Sequence, residues 1–335
     1  MQKENNYKKL FEDFNDLHIM VIGDVMVDSY LWGKVDRISP EAPIPIVALR
    51  KREDRMGGAA NVAVNIRAMG AHPVLCSVIG NDIRGDNFLD LLHNEKVATY
   101  GIIRSSTRIT TTKFRIFGNS TQMLRVDEEV EDDLSDQDLS LLLDKIEEIF
   151  NKEKIGCIIF QDYNKGVLTP ALIREVIVKA QKRNIPIVVD PKKKNFEAYA
   201  GVTLFKPNLK ELMEGMKIDF DPNYKDDLIN AAQTLRKKLN CAYVLTTLSE
   251  HGVLISMEDS LDEKNIFIPA HRRFIADVSG AGDTVISVAS LCIAMGRSPY
   301  EIAYISNLAG GLVCEEVGVV PINKEKLLKE VLTLL

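Results

Sequence analysis

Short runs of consecutive apolar residues alternate with stretches in which apolar positions return every three or four residues. HIMVIG at 18–23, VLCSVI at 74–79, GCIIFQ at 156–161, IPIVVD at 185–190, VTLF at 202–205 and YVLTT at 243–247 read as strands. Helical spacing marks 59–69, ending at Gly70, then 86–94, 170–183, 226–239, 282–295 and most of 299–317. A strand that is apolar at every position needs cover on both faces. The pattern therefore predicts an α/β fold with a central, mostly parallel sheet and helices on both faces. Ligands of such sheets gather beyond the carboxyl ends of the strands.

Two stretches break the rhythm. Residues 31–50 carry three prolines among alternating apolar positions, which suits an extended flap. Residues 103–126 alternate as well and contain the turn signal Gly118-Asn119, so a hairpin is expected there. Together they predict a small β lid over a cleft. The acidic run at 127–138 reads as a solvated loop leading into a helix. No repeat or Ser/Gly/Pro tract marks a linker, so residues 1–335 are expected to form one domain.

Composition narrows the function. With 46% hydrophobic and 27% charged residues the chain is no disordered segment. Its 42 Lys and Arg against 48 Asp and Glu leave a net charge of −6, the wrong sign for a nucleic-acid partner. Cys76, Cys157, Cys241, Cys292 and Cys314 form no C-x-x-C pair and read as reduced core thiols. The N-terminal stretch lacks the features of a signal peptide, and 284–295 is too short to span a bilayer. No membrane partner and a cytoplasmic location are expected.

The strongest chemical signal is DVSGAGDT at 277–284, directly before a helix. Small residues at Gly280, Ala281 and Gly282 allow close approach, and the first turn of a helix offers unpaired N–H groups and a positive dipole end. Asp283 beside such an anion site would be held ionised and could orient an attacking hydroxyl and accept its proton. A Gly-rich turn capped by the same Asp is the plain alternative. Gly57-Gly58-Ala59-Ala60-Asn61 opens another helix in similar style. Asp24 and Asp28, just past the first strand, suit either sugar hydroxyls or loop capping. Asn208 and Glu211 stand one helical turn apart and could hold the water shell of Mg²⁺, or form a capping box. Neither G-x-G-x-x-G at the first strand nor G-x-x-x-x-G-K-[ST] occurs, which argues against dinucleotide oxidoreductases and P-loop NTPases.

In their order and spacing, GGAANVAVNIRAMG at 57–70, Asn208 to Glu211, and DVSGAGDT resemble the ribokinase-like (PfkB) family of carbohydrate kinases. Within it, GDVMVDSY at 23–30, RISPEAPIPIV at 37–47, DYNKGVLTP at 162–170 and DPKK at 190–193 are similar to heptose 7-phosphate kinases. The resemblance covers roughly residues 15–325. It implies an ATP-dependent kinase acting on the anomeric hydroxyl of a heptose 7-phosphate, with other sugar or sugar-phosphate kinases, or a non-catalytic sugar- or nucleotide-binding regulator, as alternatives. The bifunctional relatives add a C-terminal adenylyltransferase bearing H-x-G-H; only the kinase step is expected here. Carried onto this sequence, the resemblance makes Asp283 the catalytic base and Gly280, Ala281 and Gly282 the anion hole. Asn208, Leu209, Lys210, Glu211, Thr247, Ser249, Gly252 and Asn307 would bind ATP, with Asn208 and Glu211 near Mg²⁺ through water. Asp24, Asp28, Gly57, Gly58 and Asn61 would hold the sugar. Its phosphate needs cations, for which Lys165 and Lys192 stand ahead of Arg125 and Arg37 because both follow predicted strands. Lys206 departs from the family pattern, and at that place a phosphate contact is expected. The resemblance also implies a monovalent cation and a homodimer formed through the β lid.

Overall fold

The computed structural model describes residues 2–219, 225–259, 262–271 and 273–335. Its strands are β1 (His18–Gly23), β2 (Val25–Ile38), β3 (Pro45–Gly58), β4 (His72–Gly80), β5 (Ile102–Ser105), β6 (Thr112–Gly118) and β7 (Thr121–Glu128). They continue with β8 (Ile155–Gln161), β9 (Ile187–Asp190), β10 (Leu204–Phe205), β11 (Tyr243–Thr247), β12 (Val253–Asp259) and β13 (Asp262–Ile268). The helices are α1 (Gln2–Asp13), α2 (Ala59–Ala68), α3 (Ile83–Asn94), α4 (Asp136–Lys152) and α5 (Pro170–Lys182). After them come α6 (Leu209–Met216), α7 (Lys225–Leu239), α8 (Ala281–Ala294), α9 (Pro299–Val313) and α10 (Lys324–Leu334).

The large sheet runs β13-β12-β11-β10-β9-β8-β1-β4-β5, parallel from β11 through to β5, with β12 and β13 antiparallel at one edge. Alternation within one strand explains why it is buried on both sides. Ile19 and Val21 of β1 join the core under α1, α2, α3, α8, α9 and α10, whereas Met20 and Ile22 join the core under α4, α5, α6 and α7. The chain extends the sheet one way from β1 through β4 and β5, then returns to β8 on the other side and continues outward. β1 and β8 therefore flank the switch point, and the crevice between their carboxyl ends is where a ligand is best received.

The lid is a four-stranded sheet in the order β3-β2-β6-β7. Its first hairpin is longer than the expected 31–50, since β2 starts at Val25 and β3 ends at Gly58. Asp24 and Asp28 suggested a loop, but 25–30 pair as strand with β3 and β6. At the other end, Ile102–Ser105 pairs with β4 in the large sheet, so the second lid hairpin covers only β6 and β7. Its turn falls on Asn119 and Ser120, both with positive φ, one residue beyond the expected Gly118-Asn119 pair. The β12–β13 hairpin, α1 and α10 were not anticipated.

The acidic run is also not a solvated loop throughout. Asp138 is buried in the first turn of α4 and accepts from Ser105 Oγ at 2.8 Å and Ser135 Oγ at 2.9 Å. Glu129 lies between Lys113 Nζ at 2.9 Å and Lys165 Nζ at 2.7 Å. All five cysteines are buried, and burial pushes the Cys76 and Cys292 thiols up to about 12. No helix among the described residues is long and apolar enough to cross a membrane.

Candidate active site

Four strands deliver polar residues to the crevice at their carboxyl ends: Asp24 just after β1, Gln161 at the end of β8 with Asp162 and Tyr163 following, Asp190 at the end of β9, and Lys206 after β10. The amino end of α8 closes it. Gly280, the N-cap, has φ of 80°, a conformation L side chains rarely adopt, and a Cβ there would lie 3.2 Å from Asn61 Nδ2. Asp277 locks the turn from outside, accepting from Ser279 N at 2.9 Å and Gly318 N at 3.0 Å. Among the described residues no acceptor meets the N–H groups of Gly280, Gly282 or Asp283, whereas Ala281 N–H turns back to the Val278 carbonyl at 3.3 Å. Of the three residues expected to form an anion hole, Ala281 is therefore the one whose N–H already has an acceptor. The small residue at 282 leaves room, since a Cβ there would stand 3.7 Å from Lys206 Nζ.

Asp283 is 7% exposed and holds three donors: Asn61 Nδ2 at 2.6 Å, Gln161 Nε2 at 3.0 Å and the Tyr163 hydroxyl at 3.0 Å. Burial pushes its carboxyl up to about 6; the Asn61 and Tyr163 hydrogen bonds and Lys206 oppose the rise, and Asp190 adds to it. The sequence suggested an aspartate held ionised by the helix end. Burial raises the group, yet at about 6 it is still mostly ionised at neutral pH. Behind it, Lys206 Nζ and Asp190 Oδ2 form a buried ion pair at 3.0 Å, and Gln161 Nε2 reaches the same oxygen at 3.3 Å.

A cavity of about 780 Å³ opens on Asp283 and is lined by Tyr163, Asp190, Lys192, Lys206, Asn208, Glu211, Thr247, Ser249, Gly252, Gly280, Ala281, Gly282 and Asn307 among others. Leu209 and Lys210 are absent from its wall. They are the first and second residues of α6 and line an adjoining groove with Lys193 and Lys217, which shares Asn208, Thr247 and Ser249 with the cavity. Asn208 and Glu211 form a full capping box, with Glu211 N donating to Asn208 Oδ1 at 2.8 Å and Asn208 N to Glu211 Oε2 at 2.9 Å. The other Glu211 oxygen takes Lys192 Nζ. Burial works against the Lys192 charge, but Asp190 and Glu211 outweigh it and raise the ammonium above its usual range.

The sugar-side set lies outside this cavity and meets it through Asn61. Asp28 pairs with Arg115 of the lid, and Gly57 passes so close that a Cβ would lie 2.6 Å from Asp28 Oδ2. Gly58 precedes α2 directly. Asp24 is different. Its Oδ2 accepts from the Tyr163 N–H at 2.8 Å and the Lys165 N–H at 3.1 Å, and its Oδ1 from the Val167 N–H at 3.0 Å. A carboxylate so engaged by backbone shapes the 163–167 loop and has little left for a sugar. The cations expected at the sugar phosphate have these surroundings. Arg125 is bound to Asp127 by two bonds of 2.8 Å and Lys165 pairs with Glu129 and Glu131, whereas Lys192 borders the cavity. Arg37 stands near the end of β2 in the lid hairpin. Gln161, Tyr163 and Asp190 were not singled out, although a polar residue closing an apolar strand run was the available signal at 161 and 190.

The profile described as pfkB family carbohydrate kinase matches residues 16–326. The chain belongs to the pfkB family of carbohydrate kinases. It is a phosphotransferase that acts on a sugar hydroxyl, and members of this family use ATP, typically with a divalent metal. The chain is 35% identical over 324 residues to the Bifunctional protein HldE of Geotalea uraniireducens, covering 97% of this chain and 65% of the relative. It is 38% identical over 313 residues to the same-named protein of Methylobacillus flagellatus, covering 93% and 62%. The chain therefore spans less than two thirds of the length of these relatives. Among solved structures, phosphofructokinase-2 from Escherichia coli in complex with potassium superposes with a TM-score of 0.77 at 20% identity, over 95% of this chain and 99% of that one. Arabidopsis thaliana ribokinase complexed with ribose and ATP gives 0.71 at 17% identity, over 93% and 98%. These pfkB-like structures share the ribokinase-like fold with this chain.

Proposed function

We propose that this pfkB kinase transfers the γ-phosphoryl group of ATP to the anomeric hydroxyl of D-glycero-β-D-manno-heptose 7-phosphate, giving the 1,7-bisphosphate. The observation that carries the reading is the placing of the Asp283 carboxylate beside the free N–H groups of Gly280 and Gly282 on the cavity wall. Phosphoryl transfer depends on positioning and charge neutralisation more than on covalent chemistry. Asp283 takes the hydroxyl proton, and the N–H groups meet charge on the transferring oxygens. Lys206 and Lys192 supply positive charge to the phosphates. Thr247, Ser249, Gly252 and Asn307 line the adenosine side, and Asp28, Gly57 and Asn61 face the sugar. The heptose acceptor rests on the likeness to the HldE proteins at 35–38% identity.

Glu211 suits an outer role toward Mg²⁺ and no more, because each of its oxygens already holds one donor and no group of three or more metal-ligating side chains occurs among the described residues. Bound there through water, the ion would neutralise charge on the ATP phosphates. A fructokinase-, ribokinase- or fructose-phosphate-kinase-like acceptor is the second reading, favoured by the likeness to phosphofructokinase-2. A coupled ADP-release assay over a panel of sugars and sugar phosphates, with K⁺ present or replaced, separates them. Heptose 7-phosphate is expected to give the highest kcat/KM, and a preference for fructose 6-phosphate would overturn the assignment.

The same reading includes a homodimer through the lid. Ile38, Ile44, Leu49 and Leu124 are each more than half exposed on its strands and connecting loop, an apolar surface of the kind that a second copy covers. Sedimentation is expected to give a dimer, and Leu124→Glu to shift it toward monomer.

A further inference from the structure

The two oxygens of the Asp283 carboxylate have unequal surroundings. Oδ1 accepts from Gln161 Nε2 and from the Tyr163 hydroxyl, both at 3.0 Å, while among the described residues Oδ2 accepts only from Asn61 Nδ2 at 2.6 Å. A carboxylate oxygen offers about two lone-pair directions. Oδ1 is filled, and Oδ2 keeps one direction open. We propose that Oδ2 is the atom that receives the proton, and that Tyr163 and Gln161 are positioning residues that enforce this choice by occupying Oδ1. The inference rests on Asp283 being the base.

The step balances simply. The acceptor oxygen forms its bond to the γ-phosphorus, the bond from that phosphorus to the bridging oxygen breaks with its electron pair leaving on ADP, and the hydroxyl proton moves to Oδ2. Gln161 is held in one orientation, because Nε2 serves both Asp190 Oδ2 and Asp283 Oδ1. Flipping the amide would aim its oxygen at two carboxylates. In the orientation adopted, Gln161 Oε1 is buried without a hydrogen-bond partner. An unsatisfied buried acceptor is a cost that a residue serving only stability has no reason to keep. Tyr163 remains a donor throughout, since burial first, and the neighbouring Asp283 and Asp190 charges next, push its phenol well above its ordinary range. Its ring also carries Lys192 Nζ at 5.6 Å, a contact that a Phe would retain.

The groups facing Asp283 are Asn61 from α2, Gln161 and Tyr163 from the end of β8, Asp190 from β9 and Lys206 from after β10. Removing a donor from Oδ1 disfavours the ionised form, so the acid limb of kcat/KM must move up in pH. The test is that profile for Tyr163→Phe and, as a second route should one variant fold poorly, Gln161→Met. Each is expected to raise the limb by about half a pH unit or more, the scale of a lost hydrogen bond to a carboxylate. Nucleotide KM should hold, and much of the activity should return above pH 8. A limb that stays put while activity falls evenly at all pH values assigns these residues a structural role and overturns the inference. Asp283→Asn run alongside keeps the two ideas apart. If that variant is inactive and the limb does not move, only the positioning roles fail; if it is active, the base assignment fails first.

Discussion

Replacing Asp283 by Asn is expected to lower kcat by at least about 10²-fold, the scale of general-base catalysis, while the affinity for nucleotide changes little. The side chain loses its proton-accepting oxygen, yet the adenosine wall at Thr247, Ser249 and Gly252 is untouched. Stability should move the other way. The carboxyl is pushed from 3.8 to about 6 by burial, and two units correspond to roughly 3 kcal/mol against the charged form. Between about pH 4 and 6 the native state binds more protons than the unfolded chain, so this contribution to stability falls as pH rises through that window. Above it the wild type bears the full penalty and the neutral Asn does not. The thermal midpoint of the variant at pH 7.5 should therefore equal or exceed that of the wild type. Near-normal turnover in a folded variant removes Asp283 from the reaction.

The second large effect is expected at Lys206. Its ammonium and the Asp190 carboxylate are 3% and 9% exposed and 3.0 Å apart. Lys206→Met leaves Asp190 buried with Gln161 as its remaining side-chain hydrogen-bond partner among the described residues, alongside the Lys192 charge. Breaking one side of a buried pair costs about 3–5 kcal/mol, because the surviving charge is left uncompensated. A lowered unfolding midpoint in denaturant, with unchanged slope, is the expected reading. Turnover should fall as well, since Lys206 opposes the rise of the Asp283 carboxyl and stands beside Gly282. The double change Lys206→Met with Asp190→Leu separates the two consequences. Replacing both charges by apolar groups is expected to recover most of the stability and none of the activity. If the single variant is as stable as the wild type, the pair does not have the weight given to it here.

The parallel core of the fold was legible because β1, β8 and β9 are apolar at nearly every position, a pattern that only two-sided burial explains. The helix-opening glycines were legible as well, since Gly280 and Gly57 stand immediately before or near the polar groups they admit. Partnerships across distant strands were not. Gln161 meets Asp283, 122 positions away in sequence, only because α8 packs over the carboxyl end of β8. The partners of the cations were hidden for a related reason. Lys165 and Arg125 were weighed alone, and the carboxylates that bind them, Glu129, Glu131 and Asp127, sat in a run that resembled a solvated loop. Asp24 suited a sugar ligand or a loop cap equally, because nothing in its own neighbourhood reveals the three backbone N–H groups arriving from 163–167. Asn208 and Glu211 show the reverse case. Their spacing allowed a cap or a metal shell, and the cap is formed while both residues still face the cavity.

The account turns on a buried carboxylate that must be ionised to accept the hydroxyl proton, and the pH dependence of kcat/KM reports that group in the free enzyme. The measurement is the wild-type profile beside the residual activity of Asp283→Asn, with Mg²⁺, ATP and heptose 7-phosphate. An acid limb near pH 6 in the wild type that is missing from the variant is the predicted result. A wild-type rate flat down to pH 5, or the same limb in both proteins, as substrate phosphates alone would give, contradicts it.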